Sequence, residues 1–227
     1  MEKYKYLLFD ADNTLFDFNR CEREAFILAM DASGIEFSED LYAEYHVIND
    51  GMWKQLEKGL IERSVLKTER FRVLLANAGI VDDRYVETAR CYEGFLGRQT
   101  FEINGAYELL QKLHGKYKIF IITNGLTAIQ EMRFSLSRLT ALTDGVFISE
   151  KVGYAKPDKR YFDRVISAAG DEDVSKYLVI GDSLTSDIDG AIAYGIDCCW
   201  YNRSRSSPDG REVTYEIFDI TELETVL

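Results

Sequence analysis

Apolar and polar positions divide the 227-residue chain into two regimes. In the first, short apolar runs end abruptly in polar or acidic residues: YLLFD at Asp10, KIFIITNG at Gly125, GVFIS at Ser149 and YLVIGDS at Ser183. Each has strand length and is rich in β-branched or aromatic residues. Helical patterns separate them, at Asn104 to His114, Thr127 to Leu139, Asp158 to Ala169 and Ser186 to Tyr194, with Gly170 and Gly195 as stops. Thr127 and Gln130 have the spacing of a capping box at the start of the second helix. Strands alternating with helices predict an α/β fold, a Rossmann-like parallel sheet joined by right-handed crossovers. A final strand, CCWYN, and a small strand-helix tail, YEIFDITELETVL, close this core.

In the second regime, residues 17–99, the strand pattern disappears. Four helical segments follow one another, at Arg20 to Ala32, Ser38 to Lys58, Glu62 to Ala78 and Asp82 to Gly97, with glycines 34 and 79 marking two of the breaks. The pattern predicts an all-α cap domain over residues 17–99, inserted into a discontinuous core of residues 1–16 and 100–227. Because it leaves the core just after the first strand, the cap is expected over that strand's carboxyl end, opening and closing to admit substrate and exclude water.

Composition narrows the function. At 46% hydrophobic the chain can bury a sizeable core, while 27 basic against 39 acidic residues leave a formal charge of −12 that repels nucleic-acid polymers and anionic lipid surfaces. The N-terminal run YLLF is too short for a signal segment and nothing approaches membrane-spanning length, so a cytoplasmic protein is expected. Cys21, Cys91, Cys198 and Cys199 form no C-x-x-C pair and read as reduced, mostly buried small hydrophobes. Two histidines, His46 and His114, each inside a helical pattern, give poor support for a histidine-dependent triad or zinc site.

The chemistry therefore falls to acids at strand ends, where ligands bind in open parallel sheets. Strand one delivers Asp10 and Asp12, the next Thr123, Asn124 and Gly125, the loop after GVFIS leads to Lys156, and YLVIGDS brings Asp182 with Asp187 beyond it. Alternation turns Asp10 and Asp12 to one side, where two ionised carboxylates about 5 Å apart repel by roughly 3 kcal/mol at an effective dielectric of about 20. Adding Asp182 worsens the repulsion. A cation among them resolves it, and all-oxygen ligands select a hard ion, Mg²⁺ first. Lys156, the Thr123 hydroxyl and backbone N–H groups near Asn124 and Gly125 suit a phosphoryl group. One aspartate can then serve as nucleophile and the other as acid and base.

FDADNT, TNG, AKPD and GDSLTSDIDGA, in this order and spacing, resemble the four motifs of the haloacid dehalogenase superfamily, a likeness that covers essentially the whole core. It implies Asp10 as nucleophile, Asp12 as general acid and base, and Thr123, Asn124 and Lys156 as phosphate binders. It also implies Mg²⁺ held by the Asp10 and Asp182 carboxylates and the Asp12 backbone carbonyl, with Asp187 in support. Asn13 stands where many members carry glycine, which bears on backbone freedom. Asp12 favours phosphatase chemistry, since dehalogenating members look different at that position. INDGMWKQLEKGLI, IITNGLTAIQ and CCWYN are similar to stretches of bacterial pyrimidine 5′-nucleotidases, so a nucleoside monophosphate is the expected partner. Sugar-phosphate phosphatase, mutase and phospho-aspartate switch are the competing readings.

Blander roles exist for several of these residues. Asp182 and Asp187 have the positions of a helix cap and a first-turn acid, a role compatible with metal support. Asp189 is expected to be solvated. Tyr42, Tyr45 and Phe71 are expected mostly in the core, leaving Trp53 as the candidate to stack on a base.

Overall fold

The computed structural model describes residues 3–227, which form two compact units: residues up to Phe18 together with those from Thr100, and residues Asn19–Gln99. The strands are β1 (Tyr6–Asp10), β2 (Lys118–Thr123), β3 (Gly145–Ile148), β4 (Tyr177–Gly181), β5 (Asp197–Tyr201) and β6 (Tyr215–Ile217). The helices are α1 (Phe18–Ala32), α2 (Glu39–Glu57), α3 (Arg63–Asn77), α4 (Arg84–Leu96), α5 (Ala106–Leu113), α6 (Thr127–Leu136), α7 (Ser149–Val152), α8 (Lys159–Ala169) and α9 (Asp189–Tyr194).

The strands make one parallel sheet in the order β3-β2-β1-β4-β5-β6. Both faces are covered, which is why the strands read as unbroken apolar runs. Leu7, Phe9, Ile121, Ile180 and Cys199 enter one core. Tyr6, Leu8, Ile122, Val179 and Cys198 enter the other. Each such Leu, Ile or Phe contributes about 1.5–3 kcal/mol by leaving water. Cys198 and Cys199 thus face opposite sides as the alternation requires, and all four cysteines are free thiols.

The chain runs outward from β1 to β3 and then returns beside β1 with β4, so β1 and β4 flank the point where strand order reverses. That is where an open sheet leaves a crevice beyond its carboxyl ends. Register fixes what lines it. Phe9 pairs with Ile180 and Asp10 with Ile122, so Asp10 emerges beside Gly181 and one residue short of Thr123.

Two expected helices are broken in the structure. The one placed over Thr127 to Leu139 stops at Leu136, because Ser137 is extended and its hydroxyl accepts from Leu139 N to start a separate 3-10 turn, Arg138–Leu142. The one placed over Ser186 to Tyr194 opens with a wide turn, Leu184–Ile188, capped by the Ser183 hydroxyl, before α9 begins. The Thr127 and Gln130 capping box does not form. Thr127 N donates instead to the Glu150 carboxylate, 2.7 Å away, and Gln130 turns toward Asp12 and Thr123.

The helical unit has its own interior. Phe26 of α1, Tyr45 of α2, Phe71 of α3 and Tyr92 of α4 meet there, with ring centroids 4.7 Å apart for Phe26 and Tyr45, 5.2 Å for Tyr45 and Phe71, and 5.1 Å for Phe71 and Tyr92. Tyr45 and Phe71 are core residues as expected, whereas Trp53 on α2 is half-buried. Beside the rings lies a buried polar chain. Asn49 donates to the Glu22 carboxylate at 2.8 Å and accepts from Arg70 at 2.8 Å, tying three helices together. Burial pushes the Glu22 carboxyl up, against the pull of His46 and Arg70.

Candidate active site

Four segments bring charge to the carboxyl ends of β1 and β4. Lys156, 2% exposed, precedes α8 and extends its ammonium into the gap between β1 and the turn after β4. All three of its hydrogens are used: it donates to Asp10 Oδ1 at 2.7 Å, to Asp187 Oδ1 at 2.6 Å and to the Ile122 carbonyl at 2.8 Å. Asn124 fixes the backbone of that lysine from both sides, donating to its carbonyl at 2.8 Å and accepting from its N–H at 2.9 Å. The Asn124 side chain is thus committed to orienting Lys156.

Asp187 is fully buried, and its second oxygen accepts from Ser183 N at 3.1 Å. A Cβ on Gly181 would come within 2.3 Å of that oxygen, so glycine at the end of β4 makes room for it. Asp182 is held by its carbonyl, which accepts from the Trp200 indole at 2.8 Å. Asp10, Asp182 and Asp187 can each offer an oxygen within 4.8 Å of the others.

Asp12 departs from the trio. Its carboxylate accepts from Gln130 at 2.6 Å and from the Arg133 guanidinium, both on α6. Asn13 follows with φ +63°, a left-handed conformation that glycine adopts at no steric cost and asparagine tolerates. Thr123, buried, accepts at its hydroxyl from Gly125 N at 3.1 Å and from Gln130 at 3.2 Å. The Gly125 N–H, expected to belong to an anion nest, is therefore already hydrogen-bonded. Gln130 and Arg133 were not legible as site residues; the available signal was two polar side chains at i and i+3 on the helix's buried stripe with Ile129 and Phe134. Asp189 is solvated as expected, its side chain 40% exposed, and it also pairs with Arg211 through contacts of 2.6 and 3.0 Å.

The electrostatics follow from the count. Three carboxylates face one ammonium, so full ionisation leaves an excess of two negative charges. Burial, reinforced by the neighbouring Asp187 charge, pushes the Asp182 carboxyl up to about 7. Burial likewise raises Asp10 well above the usual carboxylate range, opposed by Lys156 and aided by Asp187, Asp182 and Asp12. Burial works against the charge on Lys156, but the Asp10 and Asp187 carboxylates outweigh it and hold the ammonium protonated. A divalent cation matches both the all-oxygen donor set and the charge excess.

A prediction follows for protein stripped of divalent ions. Asp182 binds its proton more tightly folded than unfolded, so its stabilising contribution is full below about 4 and is lost as pH rises toward 7. The Tm in a chelator is expected to fall by roughly 3–6 °C between pH 5 and pH 8, and added Mg²⁺ to restore it. Differential scanning fluorimetry reads this, and a flat or rising Tm contradicts the charge count.

A family model for a haloacid dehalogenase-like hydrolase matches residues 4–195, a span that includes Asp10, Asp12, Thr123, Lys156, Asp182 and Asp187. The chain belongs to the haloacid dehalogenase-like hydrolases. Members similar to it along nearly the whole chain include the pyrimidine 5′-nucleotidase PynA of Streptococcus pneumoniae strain ATCC BAA-255 / R6. The two are 35% identical over 223 residues, 97% of this chain and 93% of that protein. The pyrimidine 5′-nucleotidase YjjG of Escherichia coli strain K12 is 33% identical over 232 residues, 99% of this chain and 98% of that protein. A crystal structure of the HAD-hydrolase YfnB from Bacillus subtilis, bound to magnesium and revealing interdomain movement, superposes with a TM-score of 0.92 at 34% identity, covering 100% of this chain and 99% of that one. The chain is an enzyme, a hydrolase whose relatives include phosphatases of this superfamily. None of its described helices is long and apolar enough to cross a membrane.

Proposed function

We propose that the chain is a Mg²⁺-dependent phosphomonoesterase that works through an aspartyl phosphate on Asp10 and takes nucleoside 5′-monophosphates as substrates. The observation that carries it is the convergence of three carboxylates on one buried ammonium at the strand-order reversal. Asp10, Asp182 and Asp187, with the Asp12 carbonyl, would hold the cation. When bound it neutralises the cluster and draws charge from the phosphoryl oxygens.

Lys156 orients the Asp10 carboxylate through the 2.7 Å bond. An Asp10 oxygen attacks phosphorus as the ester P–O bond breaks, and the leaving alcohol oxygen takes its proton from Asp12. Asp12, now ionised, removes a proton from water. The water oxygen attacks phosphorus, the Asp10 oxygen leaves, and phosphate is released. Thr123 supplies a hydroxyl at the phosphoryl site. Likeness to PynA and YjjG along the chain supports the nucleotide reading.

A panel of esters tests the substrate. At saturating Mg²⁺, kcat/KM for uridine and thymidine 5′-monophosphates is expected to exceed that for ribose 5-phosphate and other sugar phosphates by at least about tenfold, the scale of one or two good pocket contacts. A preference for sugar phosphates overturns the nucleotidase reading and leaves the phosphatase reading standing. A phosphoprotein that persists for hours after exposure to acetyl phosphate would instead favour a switch.

A further inference from the structure

We infer that Gln130 and Arg133 of α6 are positioning residues for Asp12, holding its carboxylate at the aim the proton transfers require. The inference rests on the acid and base role proposed for Asp12 and adds the residues through which that role is exercised.

Both oxygens of the Asp12 carboxylate are occupied from α6. Oδ2 accepts from Gln130 Nε2 at 2.6 Å and Oδ1 from Arg133 Nη1. The donors are more deeply buried than the acid they hold: Arg133 is 0% and Gln130 1% exposed, while the Asp12 side chain is 24% exposed. An aspartate open to solvent on one side and gripped by two buried donors on the other has its open side fixed by the grip. A buried guanidinium needs a partner to offset the loss of water. Asp12 is its carboxylate partner, and the Phe16 and Phe18 rings, 5.3 and 5.6 Å from the guanidinium carbon, flank the rest. Its Nε and Nη2 find no hydrogen-bond acceptor among the described residues. The arginine is thus spent on Asp12 rather than on a wider ion-pair lattice.

An independent observation comes from the glycine that ends the TNG run. A Cβ on Gly125 would lie 2.3 Å from Gln130 Nε2 and 2.8 Å from its Cγ. The space that glycine leaves open is filled by the side chain that reaches Asp12. Gln130 Nε2 also touches the Thr123 hydroxyl at 3.2 Å, so one amide spans the expected acid and the expected phosphate contact. A purely structural tie between α6 and the loop after β1 would have no reason to join those two groups.

Leaving-group dependence separates positioning from packing. An alkyl ester such as uridine 5′-monophosphate needs a proton on its leaving oxygen, whereas p-nitrophenolate leaves without one. In Arg133→Met, kcat/KM is expected to fall at least about tenfold more for the nucleotide than for p-nitrophenyl phosphate, within the range general acids supply. In an Asp12→Asn background the same change is expected to add less than about twofold. Gln130→Ala, a milder cut, gives the same split at reduced size if Arg133→Met folds poorly. Equal losses on both esters, or a full additional loss in Asp12→Asn, overturn the inference. Asp10→Asn run alongside keeps the two levels apart: retained activity there defeats the proposed chemistry itself, whereas an inactive Asp10→Asn without the leaving-group split defeats only the positioning role.

Discussion

Replacing Asp10 with asparagine is expected to reduce Mg²⁺-dependent phosphate release from p-nitrophenyl phosphate by at least about 10³-fold, since an amide oxygen forms no stable acyl phosphate and the covalent route closes. The fold should tolerate the change. Asparagine has the same shape, its oxygen can still accept from Lys156, and it removes one of three crowded negative charges. The metal-free variant is therefore expected to melt no lower than the parent at pH 8. Colorimetric phosphate release and a thermal scan read both halves. An Asp10→Asn protein with full activity would remove Asp10 as nucleophile.

Lys156→Met is expected to cost the most stability. The ammonium is the cation that two buried carboxylates share, and removing one partner of a buried ion pair typically costs about 3–5 kcal/mol. For a chain of this size that corresponds to a fall in Tm of roughly 6–20 °C. Sign distinguishes the charge effect from a packing loss. At low pH the deserted Asp10 carboxyl, already raised by burial, takes up a proton and the deficit shrinks, while a cavity left by a shortened side chain would persist at any pH. Activity should drop at least about 10²-fold, because the lysine aims Asp10 as well as balancing it. A Tm unchanged at pH 8 would show that the lysine's bonds to Asp10 and Asp187 carry no net weight.

What the sequence disclosed and what it hid divide along a physical line. Strand runs and terminal acids are local patterns: YLLFD announces both its burial and its exit into polar ground, and the register of β1 against β2 and β4 then gathers Asp10 and Asp182. Which way a polar side chain turns is decided by partners far off in the chain. Asp12 goes to an arginine 121 residues away, and Asp189, solvated as read, also pairs with Arg211 from the loop after β5. Gln130 looked like half of a capping box because capping is the local use of that spacing, yet a long-range acceptor outcompeted the helix end. The Glu22, Asn49 and Arg70 chain was hidden for a similar reason: helical periodicity marks positions as inward-facing without saying that three polar groups will satisfy one another there.

Every charged group argued to act on phosphorus, from Asp10 and Asp12 through Lys156 to Asp187, belongs to the sheet-bearing unit, and the four-helix segment closes its own aromatic interior without borrowing from them. Heredity can consequently rewrite one module while leaving the other's arithmetic of charge alone.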